Sequence, residues 1–393
     1  MKKLNAESSK IMQFSLSIEE IDPRIDRCKK HLASNICFLT LAAVFCGAKT
    51  WNEIADYGEA SDDFFREELD GWESAPSHDT IRRFFMIIPT DKFEHLFRSW
   101  VIGVIGHYNG VIAFDGKTNH NASETDEEKS NRKSGYKDYT HKSKLHMITA
   151  YATELGFSLG QLRVDDKSNE IPAVQQLIDE VFIPGCTFTA DAMHCQKETA
   201  KRVLENGGNY FLPVKGNQKE LHSWLQQLMD ECIKHPRLRR DDRFSMSEQG
   251  HGRDERRTCY SMGDMMYMHR FARQWPGMRT VGCIISERYD SYNHTFSSEY
   301  RYFISSLPNN AEMLLKTARE HWYVENNLHW HLDVTFGEDD DRKKNNAAQN
   351  FAIIEKMALA VLKNNELNKP INRKRFRASI DRKYLWQLLN QFL

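Results

Sequence analysis

The chain has 393 residues, 40% of them hydrophobic and 28% charged, with a formal net charge of −1. That is enough for two or three structural units around a sizeable core, and too ordinary a composition for a chain disordered throughout. The longest apolar run, 36–48, is too short to cross a bilayer and lies far from the start, so neither a membrane span nor a signal peptide is expected and the protein is read as cytoplasmic.

Eight cysteines are scattered without a CxxC pair or zinc-finger spacing, which reads as reduced thiols in a packed interior. A mean charge near zero still hides opposite patches. Residues 363–383 hold eight Lys or Arg against Glu366 and Asp381, whereas residues 53–70 hold eight acids against Arg66.

Residues 1–108 read as helical. Leu32, Ile36, Leu39 and Ala43 recur at helical spacing within 28–45, and Gly47 supplies a C-terminal cap. Thr50 stands three before Glu53, the capping-box spacing for a short helix ending near Gly58. After Pro76, Ser77 caps a helix over 78–88 that exposes Arg82 and Arg83. Short helices followed by a basic one fit a helix-turn-helix reader of DNA or, equally, a helical bundle packed on the main domain.

From Gly110 the pattern changes. Val111-Ile112-Ala113-Phe114 is a continuous apolar run, as in a strand buried on both faces, and it ends at Asp115. A polar stretch, 119–144, reads as a loop. Strands over 146–151 and 157–164, a helix over 171–181, a strand over 186–190 ending at Asp191, a helix over 196–205 and a strand over 209–214 make a mixed α/β unit. Residues 219–305 are charged and strand-like, with Arg-rich segments at 237–243 and 253–257, and read as an insertion forming its own β-rich lobe beside the core. Helical character returns at 311–332, which carries Glu325, and at 347–362. There is no internal repeat.

Two aspartates at the ends of apolar strands and a glutamate on a later helix can converge above a sheet although 76 and 134 positions separate them. A few carboxylates with no His or Cys suit Mg²⁺ or Mn²⁺ better than zinc. Two such ions about 4 Å apart serve in-line displacement at phosphorus. The bland reading of each acid is a turn residue or helix cap. Asp115-Gly116-Lys117-Thr118 contains Gly-Lys-Thr but is no phosphate loop, because a strand, not a glycine-rich loop, precedes it. His321 and His329 stand one helical turn either side of Glu325, so a structural zinc site is the alternative there, though the spacing is not HExxH.

These residues carry a resemblance that covers nearly the whole chain. Asp22-Pro23-Arg24, Cys46-Gly47-Ala48-Lys49-Thr50-Trp51, Pro76-Ser77-His78-Asp79-Thr80 and Ala113-Phe114-Asp115-Gly116-Lys117-Thr118 are matched in order. So are Lys167-Ser168-Asn169-Glu170-Ile171, Thr189-Ala190-Asp191-Ala192-Met193, Lys215-Gly216-Asn217-Gln218, His251-Gly252-Arg253 and the long run from Glu325-Asn326-Asn327-Leu328-His329-Trp330 to Asp339. The sequence resembles the insertion-sequence DDE transposases of the H-repeat-associated group. Two places depart from the pattern: Asn119-His120-Asn121 replaces a short Arg-Gly-Ser stretch, and His321 stands where many related transposases have Arg.

The resemblance implies an α/β fold: a ribonuclease-H-like mixed-sheet core with a β-rich insertion between the second Asp and the Glu, preceded by a helical N-terminal domain. The expected division is 1–108 helical, with possible DNA binding; 109–218 first part of the core; 219–305 insertion; 306–362 second part, with the Glu helix; and 363–393 a basic C-terminal segment. It implies Asp115, Asp191 and Glu325 as catalytic ligands of two Mg²⁺ or Mn²⁺ ions, and DNA as partner, with a homodimer in the synaptic complex. Lys117, Lys215, Asn217, Gln218, Arg253, Arg256, Arg342 and Lys343 are the expected DNA contacts. A metal-dependent nuclease without strand transfer and a catalytically silent DNA-binding remnant are the rival functions.

Overall fold

The structure, a computed structural model, describes residues 9–123, 144–164, 170–235, 241–250, 253–338, 343–344 and 346–392. Six helices come first: α1 (Lys10–Ser17), α2 (Ala33–Phe45), α3 (Trp51–Ala60), α4 (Asp62–Glu68), α5 (His78–Ile87) and α6 (Thr90–Ile105). The expected capping box is present, Thr50 accepting from the Glu53 amide and Glu53 returning the bond, and Ser77 caps α5. Helix α2 starts five residues later than its spacing predicts, because 26–28 forms a separate 3₁₀ turn and Lys29 leaves the helical region beside Asp22, 3.5 Å away. It is buried along its whole length, apolar on every side, and ends before Gly47, whose φ of +110° suits glycine. These helices share one hydrophobic core with the sheet. Ile81, Phe84 and Phe85 of α5 are buried, and Arg82 and Arg83 both pair with Asp79 at 3.1 Å.

A sheet follows, with β1 (Val111–Ser123), β2 (Lys144–Ala152), β3 (Phe157–Val164), α7 (Glu170–Val181), β4 (Thr187–Ala190), α8 (Lys197–Glu205), β5 (Asn209–Val214), α9 (Lys219–Lys234), β6 (Asp241–Gly250), β7 (Arg253–Met262), α10 (Met265–Ala272), β8 (Thr280–Asp290) and β9 (Thr295–Ser305). Helix α11 (Ala311–His321) is followed by two π-helical runs, Glu325–His329 and His331–Phe336, then α12 (Asn346–Lys363), α13 (Ile371–Ile380) and α14 (Arg382–Leu389).

The nine strands lie in the order β3-β2-β1-β4-β5-β9-β8-β7-β6. β1, β4 and β5 are parallel; β2 runs antiparallel beside β1, and β3 antiparallel beside β2. This is the mixed-sheet core expected of the fold class. The apolar runs of β1 and β4 lie at its centre with Ile112, Ala113, Phe114, Phe188 and Ala190 wholly buried, the burial that covered parallel strands require.

Three expectations change. β1 does not stop at Asp115 but continues through Ser123, where the sequence suggested a loop, because antiparallel pairing with β2 carries its polar residues onward. The insertion is not a lobe of its own: β9 joins β5 antiparallel over 211–214, so its four strands extend the core sheet. It also holds two helices, α9 and α10, which its charge density concealed. Among the described residues no helix is long and apolar enough to cross a membrane. Cys37, Cys186, Cys195, Cys232, Cys259 and Cys283 are buried free thiols.

Candidate active site

The register of the two central parallel strands brings Asp115 and Asp191 together. Phe114 is paired with Ala190, so the aspartates are the next residue on each of two hydrogen-bonded neighbours, whose backbones run about 4.8 Å apart. Ligands of α/β sheets collect at the carboxyl ends of parallel strands for this reason. Asp191 stands at the cap position of a 3₁₀ turn, Ala192–His194, yet its side chain makes no capping bond. The turn-residue reading therefore does not account for it, and its carboxylate is 69% exposed.

The segment carrying Glu325 lies across both aspartates. His329 Nε2 is 3.1 Å from Asp115 Oδ2, and His321 Nε2 is 3.6 Å from Asp191 Oδ1. Glu325, exposed, lies between these anchors in a π-helical stretch, a geometry rare in helices and often found at functional sites. The imidazole of His321 beside Asp191 holds its carboxyl below the usual range. His194, at the end of the turn, is buried, and that burial pushes its ring down to about 4. Its Nδ1, like those of His321 and His329, is buried without a hydrogen-bond partner among the described residues.

Asp191 and Glu325 line one cavity of about 280 Å³ with Lys215, Arg301, His321 and Trp322; Asp115 is not in its lining. Arg301 stacks over Trp322 at 4.0 Å. Among the described residues, no three His, Cys, Asp or Glu side chains are gathered closely enough to cage a metal, and the zinc alternative gains nothing from the two histidines, each of which faces an aspartate. The donor chemistry fits a hard divalent ion all the same: carboxylate oxygens, two of the three carboxylates open to solvent, and no thiol among them.

Residues 109–362 match the family described as Transposase DDE domain, and residues 18–101 match that described as DDE_Tnp_1-associated. The chain belongs to the DDE transposase family. It is 34% identical over 365 residues to the "H repeat-associated putative transposase YhhI" of Escherichia coli (strain K12), covering 92% of this chain and 93% of that protein. It is 32% identical over 364 residues to the "Putative transposase YncI" of Escherichia coli O157:H7, covering 92% and 90%. A 53-residue stretch is 43% identical to the "Inactive transposase YbfQ" of Escherichia coli (strain K12), covering 14% of this chain and 63% of that protein. Membership alone therefore leaves activity to be argued from the site.

The side chains expected to touch DNA in this DDE transposase fall into two sets. Lys215 is exposed at the cavity, and Arg253 and Arg256 are exposed on β7. Four others are engaged within the protein. Lys117 is clamped between Asp333 and Glu338; burial opposes its charge, but the two carboxylates outweigh it and hold the ammonium above its ordinary range. Lys343 is buried, donating to the Lys49 carbonyl at 2.9 Å and lying 3.7 Å from the centre of the Phe351 ring. Asn217 donates to the Ala192 carbonyl and Gln218 to that of Cys195. Arg342, His251 and Gly252 lie outside the described residues. The sequence reading set His321 and His329 one turn either side of Glu325, weighed them as zinc ligands and noted His321 where related transposases have Arg, but did not tie them to the aspartates; their spacing was the signal that could have.

Proposed function

We propose that this DDE transposase is an active insertion-sequence enzyme that binds the ends of its element and cuts and rejoins DNA strands, with Asp115, Asp191 and Glu325 as its catalytic carboxylates. One observation carries the reading: the aspartates that follow the paired Phe114 and Ala190 stand side by side, and each is met by a histidine one turn from Glu325, so a single segment brings the third carboxylate towards both. Asp333 and Glu338 already share the Lys117 ammonium, which makes them poorer candidates. The three carboxylates would hold two Mg²⁺ or Mn²⁺ ions. Such ions, when bound, polarise the phosphodiester and ease the build-up of charge on the attacking and leaving oxygens.

Around them, Lys215 supplies a positive charge to a phosphate entering the cavity, and the Arg301–Trp322 stack forms its apolar wall. The partner is DNA, both element ends and target, handled by a homodimer in a synaptic complex in the cytoplasm. Contact between DNA and the N-terminal helices is part of the same proposal, as is the division of the chain into catalytic core and insertion.

The test uses duplexes carrying the DNA that flanks the gene. Wild-type protein with Mg²⁺ is expected to nick and join them, while Asp115→Asn, Asp191→Asn and Glu325→Gln each bind with unchanged affinity and cut at least 10³-fold more slowly, the scale on which removal of a reacting-centre group is felt. Cleavage without joining would select the nuclease reading. Binding without cleavage by the wild type would select the silent remnant.

A further inference from the structure

We propose that Asn217 and Gln218 are positioning residues that clasp the turn carrying Asp191, and not contacts to DNA phosphates. The proposal rests on the reading of Asp191 as a catalytic carboxylate. β5 ends at Val214, Lys215 turns outward, and Gly216–Gln218 forms a short 3₁₀ turn before α9. From that turn the Asn217 side chain reaches across to β4's neighbouring loop and donates to the Ala192 carbonyl at 2.7 Å. The Gln218 side chain donates to the Cys195 carbonyl at 2.9 Å.

These two carbonyls bracket the 3₁₀ turn Ala192–His194. Within the turn the His194 amide donates to the Asp191 carbonyl at 2.9 Å and the Cys195 amide to the Ala192 carbonyl at 3.1 Å, and the next residue, Gln196, donates its backbone amide to the His194 carbonyl at 2.8 Å and its side chain to the Met193 carbonyl at 3.0 Å. All of these bonds are local to 191–196, and 3₁₀ geometry is poor and short, so the turn gains from hydrogen bonds that tie it to another element. The Asp191 side chain contributes nothing to it, making no capping bond and facing the cavity instead. The amides from the β5 end supply that support, one on each side, and so fix where the Asp191 carboxylate stands relative to Glu325. The parallel pairing of β4 with β5 places the two loops side by side, which is why a motif 26 residues downstream can act on Asp191. Lys215, the first residue of the same motif, is left exposed for the nucleic acid.

A loosened carboxylate is felt in turnover before it is felt in binding, because misplacement by about 1 Å costs on the order of 10²-fold in rate. Full-length Asn217→Ala, Gln218→Ala and the double variant are compared with wild type and Asp191→Asn on the flanking-DNA duplex. Cleavage rate at saturating DNA, the DNA dissociation constant and its dependence on salt are measured. Hydrogen exchange of residues 191–196 is followed without DNA.

The clasp predicts a rate about 10- to 100-fold lower in the double variant, an unchanged dissociation constant and salt slope, and faster exchange confined to 191–196. Asn217→Asp, which keeps the shape but loses the donor, is expected to exchange as fast as Asn217→Ala. Weaker binding with a shallower salt slope and a normal saturating rate would make these residues phosphate contacts. Unchanged exchange at 191–196 would overturn the clasp by itself. If the double variant fails to fold, the two single variants carry the same comparison. If wild type and Asp191→Asn cleave alike, the catalytic reading has failed, and the exchange measurement still judges the clasp.

Discussion

Lys343 and Glu94 show what burial does to a charge that sequence alone would place on the surface. The Lys343 ammonium lies 3.7 Å from the Phe351 ring centre and 5.1 Å from that of Trp51, and donates to the Lys49 carbonyl, tying the start of α3 to α12. A desolvated cation–ring contact and a charged hydrogen bond lost together cost on the order of 2–4 kcal/mol. Lys343→Ala is therefore expected to lower the melting temperature by several degrees while DNA affinity stays within twofold. A fall in affinity with an unchanged melt would return Lys343 to the DNA surface. Glu94 on α6 accepts from the Gln161 amide at 2.7 Å and from Arg98 at 3.3 Å, yet burial outweighs both and pushes its carboxyl up to about 7. The folded state thus keeps a proton that the unfolded chain gives up near pH 4.5. Stability is full below that value and declines as pH rises towards 7, by on the order of 3 kcal/mol in all. Glu94→Gln should flatten the decline in urea titrations between pH 4.5 and 7.5. Parallel curves for the two proteins would show that another group is responsible.

At the scale of elements, the joint between core and insertion depends on close packing at β8. Gly282 is paired with Ser261 on β7 and Phe303 on β9. A Cβ there would meet the Phe303 ring and the Tyr260 carbonyl oxygen, both at 2.4 Å. The ring also stacks on Phe211 of β5, with centroids 4.6 Å apart, so it cannot move without disturbing the strand that leads to Lys215. Gly282→Ala is expected to cost about 1–3 kcal/mol by overpacking, seen as a lower urea midpoint with a similar slope. A neutral outcome would mean that the ring has room the packing does not suggest. The π-helical run from Glu325 is the other decisive element. It departs from the 3.6-residue period on which the expected face of His321, Glu325 and His329 was based, yet it still delivers both histidines to the aspartates.

For the whole molecule, basic charge is divided between inward ties and an outward surface. In the C-terminal segment, Arg375 closes the end of α2, donating to the Val44 carbonyl at 3.0 Å and the Thr335 carbonyl at 2.6 Å. Lys374 donates to the carbonyls of Leu362 and Asn365. These charges satisfy helix ends, the groups that lack partners within their own helix. The first and last described segments also meet, Ser9 donating to the Leu389 carbonyl at 2.7 Å and the Lys10 amide to that of Phe392 at 3.0 Å. Arg253 and Arg256 are different: both are exposed, and among the described residues Arg253 has only a 4.0 Å pair with Asp290, worth little at a surface. Replacing both with Ala should leave the melt within about 0.5 kcal/mol and reduce the slope of log affinity against log salt by about 2, since each phosphate contact contributes about 0.9. An unchanged slope would remove β7 from the DNA interface.

Much of this protein is legible in its sequence, because the strongest signals are local. Apolar runs marked the central strands at 111–114 and 186–190, Thr50 and Ser77 marked helix starts, and the acids that follow the apolar runs stood out by position. What needed the tertiary structure was set by partners distant in the chain. Polar residues 119–123 are strand because β2 lies beside them; the sheet continues beyond β5 because β9 pairs with it; and the side-chain amides of Asn217 and Gln218 reach the carbonyls of Ala192 and Cys195 because β5 runs parallel to β4. The fate of each positive charge was likewise decided by neighbours. Lys117, Lys343, Lys374 and Arg375 meet carboxylates, rings or helix-end carbonyls, while Lys215, Arg253 and Arg256 face water. A residue's type sets which partners it can accept, and only the fold determines which of them it meets.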